Sequence, residues 1–173
     1  MRKGGGREKG HAFENEVAKI LMVWSGVEWK RIPQSGGWGS KDIASGDLFC
    51  VTEFNKKDPL IIPISLELKK VEAWEFVHFF KGLDSSPLGT WWTQSVNDAS
   101  KSKKVPVLIF SRNRYPIFIM IGNSTLTRLE KLVGCKYNKK SSRIQCIIKR
   151  DYVSVILLSD FLSWITFEIL LRL

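Results

Sequence analysis

Near the start of the chain, apolar residues recur with the period of a helix. Their spacing is close to the roughly 3.6 residues of a helical turn, which places them on one buried face. The positions are Phe13, Val17, Ile20, Leu21 and Trp24. We predict a helix over residues 11–25 that ends at Gly26. Residues 1–9 are glycine-rich and basic without such a period, which predicts a flexible basic arm.

Farther along the chain, apolar residues alternate with polar ones or form short continuous runs, as strands do. The predicted strands cover residues 28–32, 47–54, 60–70, 105–110, 117–121, 144–149 and 152–157. The predicted helices cover residues 72–80 and 88–101, part of 122–132, and the end of the chain. This order of elements predicts a single α/β domain with a mixed sheet, in which the strands at 47–54 and 60–70 form a hairpin.

Charged residues follow the apolar part of the strand predicted at residues 60–70. Because alternate side chains of a strand share a face, Ser65, Glu67 and Lys69 point together, away from the apolar positions. A carboxylate can ligate a hard divalent cation, and an ammonium beside it can orient the water that attacks phosphorus. Taken alone, however, the pattern is more typical of an ion pair on a solvent-facing edge strand.

Asp47 strengthens the interpretation as a metal site. It follows Gly46 and opens the preceding strand, so an antiparallel hairpin can bring its carboxylate to Glu67. Two carboxylates beside one lysine suit Mg²⁺, which takes few carboxylates together with water and phosphate. Asp42 is a rival ligand, but it lies in the glycine-rich loop 33–46, where a turn residue is the better interpretation.

The net charge of the chain indicates which class of binding partner to expect. Lys and Arg number 27 against 17 Asp and Glu, a formal net charge of +10, which favours a polyanion because neutralised phosphates release counterions. A basic surface without a nucleic acid is also compatible with it. Cys50, Cys135 and Cys146 have no metal-ligand spacing, and no signal peptide is visible, so we expect reduced thiols in a cytoplasmic protein. The apolar residues 153–173 include charged positions and predict a packed helix, not a membrane span.

The motifs together resemble the PD-(D/E)XK nuclease superfamily, most closely the archaeal-type Holliday junction resolvases and their phage relatives. The resemblance covers about residues 9–121. Its pieces are Lys9-Gly10-x-x-x-Glu14-x-Glu16, Arg31, Gly46-Asp47-Leu48, Leu66-Glu67-Leu68-Lys69 and WWTQSVNDASKSKKVPVLIFSRNR. It implies a restriction-endonuclease-like core of helix, three antiparallel strands, helix and strand, within a nuclease domain at residues 10–173.

The resemblance also implies a set of site residues. Mg²⁺, for which Mn²⁺ would substitute, would be held by Asp47, Glu67 and the backbone carbonyl of Leu68, with Lys69 as a further catalytic residue. The acid that the family has on its first helix maps onto Glu14, although helix periodicity alone does not choose between Glu14 and Glu16.

Two departures from the family pattern bear on this chain. Gly46 stands where the superfamily usually has a proline before the aspartate. Asp98 stands four residues after Gln94, where processive nucleases of the superfamily have a tyrosine, and this argues against an end-dependent exonuclease.

The resulting expectation is a structure-selective, Mg²⁺-dependent DNA endonuclease that resolves four-way junctions by paired nicks as a homodimer. Alternatives are a nicking or restriction/repair-type endonuclease of the same superfamily and a catalytically silent DNA-binding module. We expect neither a membrane nor a small-molecule substrate, and a location in the cytoplasm, that of the host if a phage encodes the protein. Expected DNA contacts are Arg2, Lys3, Arg7, Lys9, Arg31, Ser35, Trp38, Ser40 and Gln94. Candidate dimer contacts are Trp74, Phe76, Phe79 and Phe80, or Phe161, Trp164 and Ile165.

Overall fold

The computed structural model of the chain describes residues 5–32, 46–54, 60–72, 74–138 and 143–173. Within these ranges, helices pack on one seven-stranded sheet. The helices are α1 (Gly5–Ser25), α2 (His78–Lys81), α3 (Pro87–Lys101), α4 (Asn123–Val133), α5 (Leu158–Trp164) and α6 (Phe167–Leu170). The strands are β1 (Trp29–Arg31), β2 (Leu48–Cys50), β3 (Ile64–Lys70), β4 (Val105–Ser111), β5 (Phe118–Gly122), β6 (Arg143–Ile148) and β7 (Asp151–Leu157).

The sheet is mixed, as predicted. Its strand order is β1-β2-β3-β4-β5-β7-β6, and every neighbouring pair is antiparallel except β3 and β4. The parallel pair requires a crossover connection, which α3 provides. The described residues therefore contain the expected succession of helix, three antiparallel strands, helix and strand, in a restriction-endonuclease-like fold.

Alternation along the strands divides the core into two layers. Leu66, Leu68 and Ile109 face the layer that contains residues of α1, α4, α5 and α6. Leu108 and Phe110 face the opposite layer, which contains Trp74 and residues of α3. Because β3 has a neighbour on each side and helices on both faces, any polar side chain in its middle is withdrawn from water.

Helix α1 begins at Gly5 and not near residue 11, so residues 5–9, which were assigned to the flexible arm, are helical. The segment contains no proline, and Glu8 in the first turn favours helix because the N-terminal dipole attracts negative charge. The end of the helix was predicted correctly. Gly26 adopts a φ of +72° and its N–H donates to the Met22 carbonyl at 2.9 Å. Residues 1–4 lie outside the described ranges.

The hairpin of β2 and β3 is shorter than predicted. Strand β2 ends at Cys50, and the chain continues as a 3₁₀ turn at Val51–Phe54. Pairing with β3 centres on Leu48 opposite Leu66. The backbone beyond β2 bonds elsewhere, since the Val51 N–H donates to the Glu28 carbonyl at 2.8 Å.

The helix predicted at residues 72–80 was largely wrong, because only α2 is helical there. Trp74 is fully buried, and the Trp74 carbonyl accepts a bond from Arg112 at 3.1 Å. Its indole N–H points to the Ser111 carbonyl at 3.4 Å. These contacts fix Trp74 against the end of β4.

The predicted single terminal helix is also divided. It ends at Trp164, passes through extended Ile165 and resumes as α6, where Thr166 accepts a bond from the Ile169 N–H at 3.4 Å. Phe161 and Ile165 are buried in the core of the same chain, so these residues are not free to form the candidate dimer contact. None of the helices in the described ranges combines the length and apolarity that a membrane span requires.

Candidate active site

Gly46 brings the chain against the backbone of β3. Its φ is +91°, a conformation that side-chain-bearing residues rarely adopt. A Cβ at this position would lie 2.8 Å from the carbonyl carbon and the amide nitrogen of Leu66, and closer still to the carbonyl oxygen. This approach allows the Asp47 N–H to donate to that oxygen at 2.6 Å. A proline could not replace Gly46, because the ring of proline requires a negative φ.

The Asp47 carboxylate is fixed by the next peptide along β3. The Leu68 N–H donates to Asp47 Oδ2 at 2.7 Å. Because the N–H and C=O of one strand residue project to the same side, the Leu68 carbonyl faces the same gap as Asp47. The two groups that the resemblance names as ligands are therefore adjacent.

Glu67 lies on β3 with its side chain withdrawn from solvent. The residue is 4% exposed and stands in register with Leu108 of β4. Its Oε1 is 2.6 Å from Lys69 Nζ, on a side chain that is 27% exposed. A buried charge requires a close partner of opposite sign, and Lys69 provides it. The prediction that both residues share one face is confirmed, whereas the alternative of a solvent-facing edge strand is wrong because β3 is central.

The surroundings of Asp47 disfavour its negative charge. Burial and, next, the negative charge of Glu67 raise the pKa of Asp47 from 3.8 to about 6. The Leu68 N–H and the Lys69 charge act in the opposite direction, and Glu14 adds to the increase. The four predicted side chains, Glu14, Asp47, Glu67 and Lys69, thus act electrostatically on one place in the fold.

Glu14 and Glu16, both on α1, have different surroundings. Glu14 forms a close ion pair with Arg31, and the Glu14 side chain is 14% exposed. Glu16 is 3.2 Å from Lys70 and 49% exposed, and its charge is not among those that act on Asp47. The structure therefore separates two residues that helix periodicity could not, with Glu14 on the side of Asp47.

The oxygen ligands of this site fit a hard divalent cation. Two carboxylates whose charges repel each other, with a carbonyl beside them, form the kind of incomplete ligand set that Mg²⁺ completes with water and phosphate. A cation between them would reverse the unfavourable charge that raises the Asp47 pKa. In the described parts of the chain, no three His, Cys, Asp or Glu side chains form a fuller metal cage.

The structure describes only some of the residues that were expected to contact DNA. Lys9 on α1 and Gln94 on α3 are exposed, and Arg31 is held by Glu14. Arg7 belongs to α1, but the structure does not describe its side chain. The remaining expected contacts, and the rival acid Asp42, lie outside the described residues; the contacts are Arg2, Lys3, Ser35, Trp38 and Ser40.

Lys70 is a neighbour of the site that the sequence analysis did not single out. It lies beside Glu16 and over the Phe13 ring, 5.3 Å from its centroid. With Lys9 it lines a cleft of about 420 Å³ between α1 and the end of β3. The signal was present in the sequence, since alternation places Lys70 on the face opposite Lys69.

The chain is similar to phage proteins. Residues 5–169 match the family described as "Phage putative PDDEXK endonuclease". The chain is also similar to Protein D14 of Escherichia phage T5, with 28% identity over 118 residues that cover 68% of this chain and 71% of that protein. No solved structure matches the chain.

Replacement of Gly46 tests the approach to β3. Gly46→Ala should lower the free energy of unfolding. A strained backbone alone usually costs about 1–3 kcal/mol, and the loss should exceed this because the added methyl group also overlaps Leu66. Urea unfolding measures it. Gly26→Ala is the matched control, since Gly26 also has a positive φ but has nothing within 4 Å of its Cβ position. Equal losses in the two variants would contradict a close contact at Gly46.

The raised pKa of Asp47 predicts a pH-dependent stability without metal. A carboxyl with a higher pKa in the folded state contributes stability below about pH 3.8 that is lost as the pH rises through about 6. Asp47→Asn should therefore be more stable than the wild type at pH 7, by about 1–2 kcal/mol after allowance for partial exposure, and similar to it near pH 4. Urea unfolding in EDTA measures the difference. Asp98→Asn should show no such trend, and a pH-independent effect of Asp47→Asn would refute the assignment.

Proposed function

The chain belongs to the phage PDDEXK endonuclease family, which implies a nuclease, and we propose that Glu14, Asp47, Glu67 and Lys69 form its metal-dependent cleavage centre. One observation carries the proposal. Asp47 accepts a hydrogen bond from the Leu68 N–H, the charge of the adjacent Glu67 acts on Asp47, and Lys69 pairs with Glu67 on a strand where unpaired charge would be costly. A catalytically silent module would have no need to retain this arrangement.

Asp47, Glu67 and the Leu68 carbonyl would hold Mg²⁺ or Mn²⁺. When bound, the ion would supply a Lewis acid for the scissile phosphate and lower the pKa of an attacking water. The chain positions these ligands in advance. Glu67 is fixed by burial in the sheet, and Asp47 by its bond to the Leu68 N–H.

Lys69 and Glu14 have different roles. Lys69 Nζ is held beside Glu67 but is still partly exposed, so it can donate a hydrogen bond to the attacking water or to a phosphate oxygen. This stabilises the negative charge that develops during hydrolysis. Glu14 lies on the α1 side, where Arg31 holds its carboxylate in place. From there Glu14 can accept a hydrogen bond from water bound near Asp47.

We propose branched DNA, and first a four-way junction, as the target. The support is the likeness of the motifs to junction resolvases together with the net charge of +10. Resolution of a junction needs two nicks related by approximate two-fold symmetry. Since one centre makes one nick at a time, a homodimer with two centres is the simplest assembly.

Substitutions at the centre should separate metal binding from chemistry. Asp47→Asn and Glu67→Gln should abolish cleavage while DNA binding is retained, because the metal ligands are lost. Lys69→Ala should slow cleavage on the order of 10²–10⁴-fold, the usual size of such contributions. Glu14→Gln should fall between these limits, and Glu16→Gln should resemble the wild type. Single-turnover cleavage with Mg²⁺ or Mn²⁺ measures these rates, and Ca²⁺ should support binding without turnover.

Two results would contradict this assignment. Full activity in excess EDTA would exclude a metal-dependent centre. An inactive Glu16→Gln variant beside an active Glu14→Gln variant would show that the wrong acid of α1 had been chosen.

The target is tested by comparing substrates of equal length. With Mg²⁺, a four-way junction should be cleaved faster than a linear duplex or single-stranded DNA, with nicks in two opposed strands. Light scattering at micromolar concentration should show a dimer, free or on the junction. A monomer in both states would refute junction resolution, and preferential cleavage of linear duplex would favour a nicking or restriction/repair-type enzyme.

A further inference from the structure

An exposed aromatic surface lies beside the proposed cleavage centre. Phe80 on α2 is 89% exposed, the highest value among the large hydrophobic residues of the described chain. Val77, whose carbonyl accepts a hydrogen bond from the Phe80 N–H at 3.0 Å, and Phe76 directly before it are 39% and 38% exposed. Tyr115 is 41% exposed, and its ring is 5.7 Å from that of Phe76. We refer to Phe76, Val77, Phe80 and Tyr115 as the aromatic surface.

A continuous series of contacts connects this surface to Lys69. Lys69 stands in register with Phe110 on the adjacent strand, about 5 Å away across the sheet. The Phe110 ring is 5.1 Å from Trp74, and the Trp74 ring is 5.4 Å from Phe76. Two buried rings, those of Phe110 and Trp74, therefore connect Lys69 to Phe76 at the edge of the aromatic surface.

Two rings of the aromatic surface, those of Phe76 and Tyr115, pack on a buried tryptophan. Trp74 is fully buried and makes edge-to-face contacts with Phe76, Phe110, Tyr115 and Phe118. Arg112 bonds to the Trp74 carbonyl, and its guanidinium lies 4.9 Å from the centroid of the Tyr115 ring. The packed rings of Phe76 and Tyr115 would therefore lose little conformational freedom when a ligand stacks beside them.

The charges around the aromatic surface favour an anionic partner. Residues 71–82 and 111–115 contain three cations, Lys81, Arg112 and Arg114, against the two acids Glu72 and Glu75. Glu72 is already paired with Arg112 at 3.3 Å. A second copy of the chain docked symmetrically here would place like charges against each other. Projecting rings among cations are instead the combination that binds unpaired nucleic acid.

We propose that the aromatic surface is a stacking platform for unpaired nucleobases of the branched DNA bound at the cleavage centre, with Phe80 as its main contact. This inference rests on the proposed function. A branch point exposes base faces that a linear duplex keeps stacked, so the platform would provide structure selectivity without reading base sequence. Phe80 positions the DNA and does not touch the reacting phosphate.

Substitutions at Phe80 separate stacking from other contacts, and its exposure means that they should not disturb folding. Binding is measured in Ca²⁺ to a splayed-arm DNA with unpaired strands and to a linear duplex of equal length. Phe80→Ala should weaken binding of the splayed-arm DNA about 5- to 150-fold, the range for loss of one stacked base. Its affinity for duplex should change less than twofold. Phe80→Leu should resemble Phe80→Ala, whereas Phe80→Trp should retain affinity.

Tyr152→Ala is the matched control, because Tyr152 on β7 is also an exposed aromatic residue, at 64%. It should leave both affinities unchanged. Equal effects of Phe80→Ala and Tyr152→Ala, or equal loss on duplex and splayed-arm DNA, would overturn the platform. Conversion of a dimer to a monomer by Phe80→Ala without DNA would also overturn it and identify a second copy as the occupant.

The wild type distinguishes failure of the platform from failure of the proposed function. If it cleaves branched DNA with Mg²⁺ and Phe80→Ala binds that DNA equally well, the platform alone is refuted. If it neither binds nor cleaves any of the DNAs, the proposed function fails and the platform with it.

Discussion

Glu67 lies in the middle of a sheet that is covered on both faces, and the residue is 4% exposed. An isolated charge in such a place costs several kcal/mol, so the fold depends on what surrounds it. Lys69, two residues farther along β3, supplies the counter-charge at 2.6 Å. The same strand also supplies the peptide to which Asp47 is bonded. The parallel neighbour β4 and the crossover helix α3 complete the burial of Glu67. This burial is the reason that Glu67 needs Lys69 as its partner.

Lys69 does not fully offset the negative charges of Glu67 and Asp47. The pKa of Asp47 is therefore raised, by burial and by Glu67. A fold selected for stability alone would have a neutral residue at that position. Gly46 brings the backbone against Leu66 in a conformation that other residues rarely adopt, and this makes the crowding of the two carboxylates possible. The geometry and the residual negative charge are both understandable if a cation belongs between them.

The sequence predicted the parts of the fold that depend on local patterns. Alternation located β3 and the shared face of Glu67 and Lys69, and Gly26 marked the end of α1. The prediction from sequence was wrong where long-range contacts override the local preference for a helix. Residues 72–80 have a helical pattern of apolar residues, yet the burial of Trp74 against Phe110 and Phe118 holds residues 74–77 out of a helix.

The candidate site was predicted by residue type but not in its detail. Periodicity could not choose between Glu14 and Glu16, because the choice depends on Arg31 and Lys70, which come from other elements. Gly46 was noted only as a departure from the family pattern. Its positive φ and its contact with Leu66 depend on the register of β2 and β3, which a sequence does not display.

The central claim is that Asp47 and Glu67 hold a divalent cation, and thermal unfolding with and without metal tests it without any DNA. A cation that binds only the folded state raises the melting temperature. Millimolar Mn²⁺ should raise that of the wild type and of Glu16→Gln at neutral pH, but not that of Glu67→Gln. An equal increase in all three proteins, or none in the wild type, would contradict the account.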